Sequence, residues 1–348
     1  VLDMMKMINY IVAFMFLFLI TSCGNKKNES ENGIHIKANV SYMLDDMFIP
    51  RDIAYCDSFF MIGDRGNDMI YSVFKQKMTA LELINTFGEV GQGPGEFIFP
   101  ESMRFMPGKI AVFDRSLIRL SEISFPPLDT MNISSITDKC FVGLNNVLRV
   151  DDSLFVGLTY LDTARLMVVN DGALYPSELG YPDDGIVAPM RQKALAYQGN
   201  LLKHPLKDEF VYASLYGKIV EFYKLDRTEN KIWSSVCKNF IFPQYTPVED
   251  NSEIESNFTV DNITGYIYAC VSDEYVFLLY SGKTVRDSRK NFSNQIEVYN
   301  WGGDLVKILM IDEDLSAFCV DSKNRMIYGV TYSEEDEKAL LLGYEIDF

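Results

Sequence analysis

From residue 34 onward the chain is a succession of short apolar runs rich in β-branched and aromatic residues, broken by polar turns containing Asp, Ser, Asn, Pro and Gly. This pattern predicts strands rather than helices. It also repeats. Residues 50–65, "PRDIAYCDSFFMIGDR", align with residues 100–115, "PESMRFMPGKIAVFDR", at a constant offset of 50. Ile53 falls on Met103, Tyr55 on Phe105, Ile62 on Val112, Asp64 on Asp114 and Arg65 on Arg115. Each copy predicts a strand, a tight turn at Asp57-Ser58 or Pro107-Gly108, a second strand ending in Asp-Arg, and a third over 69–75 or 117–124. A fourth strand is predicted over 80–88. Weaker copies follow at 147–160 with 165–170, and at 209–226 with 231–240. Two more lie at 265–280 with 295–300 and 305–311, and at 317–332 with 339–346. Only the insertion between residues 176 and 200, containing "PMRQKALAYQG", has room for a short helix or lid.

Repeating four-stranded antiparallel units of this length stack radially as an all-β propeller, an arrangement that leaves only short, protected sheet edges. The 314 residues from His35 to Phe348 correspond to about six such units. The last unit supplies only three strands, and "IHIKANVSYML" (34–44) is strand-like with no partner. Pairing the two closes the ring, with the N-terminal strand as the outermost strand of the last blade. The expected fold is a single six-bladed β-propeller over 34–348.

One stretch invites a different reading. "FGEVGQGPGEFIFP" (87–100) carries Gly88, Gly91, Gly93 and Gly95. A phosphate loop needs a helix after it and, in the Walker form, a Gly-Lys-Ser/Thr ending; here the sequel is Glu96, Phe97 and a strand. The glycines instead suit an outer-to-inner crossing between blades, with Gly88, Gly91, Gly93 and Gly95 expected to supply the positive φ values it needs. This stretch, followed by "GKIAVFDRSLIRLSEIS" (108–124), resembles the linker and strand pattern of NHL-type propellers. With the N-terminal features described next, the whole chain resembles the TolB-like six-bladed propeller lipoproteins of gram-negative bacteria. The resemblance implies fold more than function, because this fold hosts binders, scaffolds, lactonases and lyases.

Lys6 precedes an apolar run, "INYIVAFMFLFLI" (8–20), which has the length of a signal h-region and is short for a membrane span. "ITSC" (20–23) resembles a lipobox, so residues 1–22 are expected to be a lipoprotein signal peptide, Cys23 the lipidated residue, and 23–33 a polar tether. Gly24 in place of an aspartate favours the outer membrane or cell surface. Val1 ahead of Met4, Met5 and Met7 hints at a misplaced or non-standard start.

Composition then excludes several classes. With 32 basic against 49 acidic residues, there is no basic surplus to neutralise a nucleic-acid backbone. Beyond Cys23 the cysteines are Cys56, Cys140, Cys237, Cys270 and Cys319, an odd number without a C-x-x-C pair, so no disulfide framework is expected. Two histidines, His35 and His204, cannot build a multi-histidine zinc site. No G-x-S-x-G elbow is present. Acidic residues abound without a spacing that singles out a calcium site.

The expectation is therefore a monomeric, lipid-anchored binding or interaction module with no catalytic residues, no metal and no cofactor. Its partner would be an envelope protein or a small anionic or carbohydrate ligand; the alternative is a Ca²⁺-assisted hydrolase of a lactone or glycan-derived ligand. In a propeller the crossings between blades and the turns after the second strands open on one face. Arg65 and Arg115, at equivalent positions of adjacent blades, could clasp a carboxylate, sulfate or sugar acid, or pair with their Asp neighbours. Glu96, Tyr160, Tyr216 and Tyr332 complete the candidate rim.

Overall fold

The computed structural model describes residues 33–45, 47–127, 131–161, 164–248, 257–323, 325–333 and 338–347. The signal segment, Cys23 and most of the tether lie outside these residues. The N-terminal segment forms two strands, β1 (Ile34–Ile36) and β2 (Val40–Leu44). Blade one then comprises β3 (Pro50–Cys56), β4 (Phe59–Asp64), β5 (Met69–Gln76) and β6 (Leu81–Glu89). Blade two comprises β7 (Arg104–Met106), β8 (Lys109–Asp114), β9 (Arg119–Ser124) and β10 (Ile133–Thr137). Blade three comprises β11 (Leu144–Arg149), β12 (Leu154–Thr159), β13 (Leu166–Asn170) and β14 (Ala173–Pro176). A short helix, α1 (Met190–Ala196), precedes blade four, which is built of β15 (Gly199–Lys203), β16 (Glu209–Ser214), β17 (Lys218–Asp226) and β18 (Lys231–Ile241). A small ladder, β19 (Tyr245–Thr246) with β20 (Asn257–Phe258), leads to blade five, built of β21 (Tyr266–Val271), β22 (Tyr275–Tyr280), β23 (Ser293–Asn300) and β24 (Leu305–Leu315). Blade six has β25 (Ala317–Asp321), β26 (Met326–Ser333) and β27 (Lys338–Glu345) from the C-terminal end of the chain.

The ring closes as the orphan segment requires: β2 pairs antiparallel with β27, placing Tyr42 opposite Leu341, and becomes the fourth strand of blade six. The single strand expected over 34–44 is corrected to two. β1 runs parallel to β24 on the outer edge of blade five, and the chain crosses to blade six at Ala38, whose N–H is held by the Asp312 carboxylate at 3.2 Å. Outer strands β10 and β14 and inner strand β15 were not anticipated. Their residues are mostly polar, small or exposed, so their runs are weak.

Burial explains why the second strands read as unbroken apolar runs. β4 (FFMIGD) and β12 (LFVGLT) are covered on both faces by neighbouring blades. Successive residues serve opposite interfaces: Met61 packs with Ile110 and Val112 between blades one and two, while Ile62 packs towards blade six. The core is thus a ring of inter-blade layers. Inner strands β3, β7, β11, β15, β21 and β25 each have a partner on one side only, so their free edges line a central channel. The upper face is defined here as the one where inner strands begin and second strands end.

Candidate functional site

On the upper face, blades one and two repeat one device. Asp64, buried at the end of β4, accepts the backbone N–H groups of Phe48 (2.7 Å), Ile49 (2.8 Å) and Gly66 (2.8 Å). Asp114, at the end of β8, accepts those of Ile98 (2.7 Å), Phe99 (3.0 Å), Ser116 (2.9 Å) and Leu117 (3.0 Å). Each carboxylate therefore ties the incoming crossing to its own turn, with both oxygens occupied by N–H donors. The guanidinium beside each Asp is left to do something else.

Arg65 and Arg115 are exposed and, among the described residues, neither forms an ion pair. They converge on one ring. Arg115 lies 4.7 Å and Arg65 5.7 Å from the centre of Phe99, which is itself 44 % exposed. Arg115 also donates from Nη1 to the Tyr160 hydroxyl at 3.2 Å, and Arg65 donates from Nη2 to the Pro100 carbonyl at 3.4 Å. Two cationic forks, an exposed aromatic face and a phenol thus form one strip across blades one to three. These cation–π contacts, with one hydrogen bond each, position two guanidinium groups that carry five N–H donors apiece on exposed side chains.

The other three predicted rim residues do not join the strip. Glu96 folds back onto its own loop, accepting the Gly93 N–H at 2.6 Å. Gly88 and Gly95 adopt φ values of +86° and +77°, as the crossing demands, but Gly91 and Gly93 do not; they leave room for the Glu96 side chain. Tyr216, after β16 of blade four, lies with its ring tilted against Phe258 of β20 at 4.2 Å, and Tyr332 sits half-buried near the end of β26 in blade six.

Below the rim the channel is crossed by polar side chains. Arg104, at the start of β7, donates to Asn146 Oδ1 at 3.0 Å and Asn200 Oδ1 at 3.4 Å, linking blades two, three and four. Asp52 of β3 accepts the Met103 N–H at 2.5 Å and the Tyr268 hydroxyl, which reaches across the channel from blade five. Burial pushes the Asp52 carboxyl up, opposed by those two hydrogen bonds and by the charge of Arg104. Glu101 accepts the Asn146 N–H at 2.6 Å. Desolvation raises its carboxyl to about 7, against the opposing pull of that N–H and of Arg104 and Arg115. His204 is buried; its Nδ1 accepts the Leu206 N–H at 3.0 Å and its ring lies 4.6 Å from Trp301, a turn-fixing arrangement. Cys56, Cys140, Cys237, Cys270 and Cys319 are free thiols. Among the described residues, no three of His, Cys, Asp and Glu are grouped closely enough to hold a metal ion.

The family model for the TolB-like 6-blade propeller-like proteins matches residues 24–323. The chain belongs to that family. No curated protein matches it in sequence. Among solved structures it is similar to a "putative exported protein" from Bacteroides fragilis NCTC 9343, at 14% identity and a TM-score of 0.49, with 90% of this chain and 99% of that one covered. It is also similar to a luciferin-regenerating enzyme, at 9% identity and a TM-score of 0.46, with 88% and 95% covered.

Two residues of this TolB-like propeller escaped the sequence reading and shape its upper face. Phe99 lies in the quoted crossing, but only the tertiary structure puts it between the two arginines. Arg119 donates to the carbonyls of Gln92 (3.3 Å), Gly93 (3.0 Å) and Glu96, stapling the glycine-rich crossing onto blade two. The 50-residue offset places Arg119 on Met69. An arginine replacing an apolar residue at a repeat position was the signal available.

Proposed function

We propose that this chain is a lipid-anchored binding module of the bacterial cell envelope, which presents the Arg65–Phe99–Arg115–Tyr160 strip to a carboxylate, sulfate or sugar-acid group on its partner. One observation carries the reading: two exposed guanidinium groups are steered onto a shared aromatic face instead of into ion pairs. Arg forks match planar oxyanions bidentately, and an aromatic flanked by cations offers a stacking surface for a sugar ring. Anchoring through Cys23 and placement at the outer membrane or cell surface rest on the lipobox-like "ITSC" and the apolar run before it.

The test is calorimetric titration of the soluble form, from Asn25 onward, with glucuronate and with glucose at low salt. Binding of the acid but not the neutral sugar is expected, with Arg115→Ala weakening it about tenfold, the loss of roughly 1.4 kcal/mol that one charge-assisted pair supplies. Equal behaviour of the two sugars, or full affinity in the Arg65→Ala/Arg115→Ala double variant, overturns the reading.

A further inference from the structure

The channel holds a second site, on the face opposite the arginine strip. Its walls are the six inner strands, and its narrow part has a volume of about 110 Å³. That is somewhat smaller than the roughly 150 Å³ cavity known to admit a benzene ring. The narrow part begins at the level of Ile53, Arg104 and Tyr268 and descends past Ala269 and Leu202. It shares Tyr55, Phe105, Pro107, Pro205, Val271 and Val320 with a wider lower mouth of about 540 Å³. The whole forms a funnel that opens where the inner strands end.

Charge is distributed unevenly along this funnel. At the inner end, Arg104 donates to three neutral oxygens, those of Met103, Asn146 and Asn200. A guanidinium carries five N–H donors. It makes no ion pair among the described residues. At the lip, the turns of blades one, five and six bring Asp57, Asp273 and Asp321 around a single cation, Lys323. Between the two ends the wall is largely apolar, through Phe105, Val271 and Val320. Arg149 also lines the narrow part but is engaged by Glu122 (2.8 Å) and Asp152 (2.6 Å), and Lys203 donates to the His204 carbonyl at 3.1 Å. From Arg104 to Pro107 the strand advances three residues, roughly 10 Å.

We infer that this funnel is a binding site for an elongated zwitterion, a linear ω-amino carboxylate, whose carboxylate meets Arg104 at the inner end while its ammonium lies among the acidic residues of the lip. The class follows from the order of charges. A simple carboxylate satisfies Arg104 but must pass an acidic mouth, and a simple amine satisfies the mouth but places its apolar end against a cation. Free backbone edges along the inner strands provide further hydrogen-bonding groups for water or ligand.

The experiment is a titration of the soluble chain with 6-aminohexanoate, hexanoate and hexylamine, followed by calorimetry and by the shift in melting temperature. The zwitterion is expected to bind at least tenfold tighter than either control. Arg104→Gln should reduce it to the level of hexylamine, and Asp57→Asn/Asp273→Asn to that of hexanoate. Because Arg104 links three blades, Val320→Trp serves as an independent variant that fills the waist without touching either charged end, and it should abolish binding. Arg65→Ala/Arg115→Ala should leave all three affinities unchanged, which separates this site from the strip on the upper face. Equal affinity for the zwitterion and either control, binding that survives Val320→Trp, or no binding of 6-aminohexanoate overturns the inference.

Discussion

At the scale of single residues, the two Asp-Arg pairs divide their labour. Asp114 is fully buried and accepts four backbone N–H groups, so removing its carboxylate takes the acceptor from all four donors and leaves a void where the crossing meets the turn. Asp114→Ala should destabilise the fold by on the order of 3 kcal/mol or more, whereas the neighbouring Arg115→Ala should cost less than about 0.5 kcal/mol, as exposed substitutions do. Urea unfolding of both variants measures this; equal costs would mean that the carboxylate is not the tie between crossing and turn. Glu101 makes a pH prediction. Its folded-state value, about 7, lies above the ordinary glutamate value, so the folded form keeps its proton where the unfolded chain has lost it. Stability from this group is complete below the unfolded value and is lost as pH rises through about 7. Glu101→Gln should therefore gain stability relative to the parent as pH goes from 5 to 8, with little difference at pH 4. Parallel melting curves across that range would show that Glu101 titrates normally.

At the scale of elements, the two N-terminal strands carry unequal weight. β1 has three residues, two of them exposed, on the outer edge of blade five. β2 supplies five ladder pairs to β27 and buries Tyr42 and Leu44 in the layer between blades six and one. Deleting the chain through residue 37 should cost less than about 1 kcal/mol. Deletion through Leu44 should cost at least about 3 kcal/mol, the burial of two large side chains, and expose the edge of β27 to association. Thermal melts and sizing of the two truncations decide this, and equal melting temperatures would remove β2 from its role as the ring's clasp. The sequence showed this clasp because the last unit lacked a strand and the first segment lacked a partner. It did not show the division in two, because the break at Lys37, Ala38 and Asn39 has no proline or glycine and is set by contacts with Asp312 and Gly343 far along the chain.

At the scale of the whole molecule, the proposed and inferred sites lie on opposite faces of one ring. The upper strip is assembled from turns of blades one to three, while the funnel is assembled from the lower ends of inner strands. Linkage between them requires the polar crossing of Arg104, Asn146 and Asn200 to rearrange when a ligand carboxylate meets Arg104, since this residue belongs both to the crossing and to the inner end of the funnel. With that crossing intact, saturating 6-aminohexanoate should leave the glucuronate affinity within about twofold, a difference of roughly 0.4 kcal/mol. A larger change would show that the crossing transmits between faces.

Most of the six-fold strand repeat, the ring closure, the crossing at residues 87–100 and the shared face of Arg65 and Arg115 were legible in the chain; β10, β14 and β15 were not. The legible features follow from local rules: short runs of β-branched and aromatic residues, turn residues, and the 50-residue offset of the first two copies. The repeat could have been carried three residues further, since "MFIP" at 47–50 matches "FIFP" at 97–100 and marks the same crossing twice. What the tertiary structure alone decided is which cations stay available. Asp64 and Asp114 take backbone donors from a segment some 15 residues earlier, which frees their arginine neighbours, and Phe99 gathers both. Likewise Arg104, Asp57 and Asp273 share a channel only because successive inner strands all run from the upper to the lower face. Sequence spacing fixes which strand a residue belongs to and which way it faces, but charge partners lie blades apart, and only the closed ring sets the distances between them.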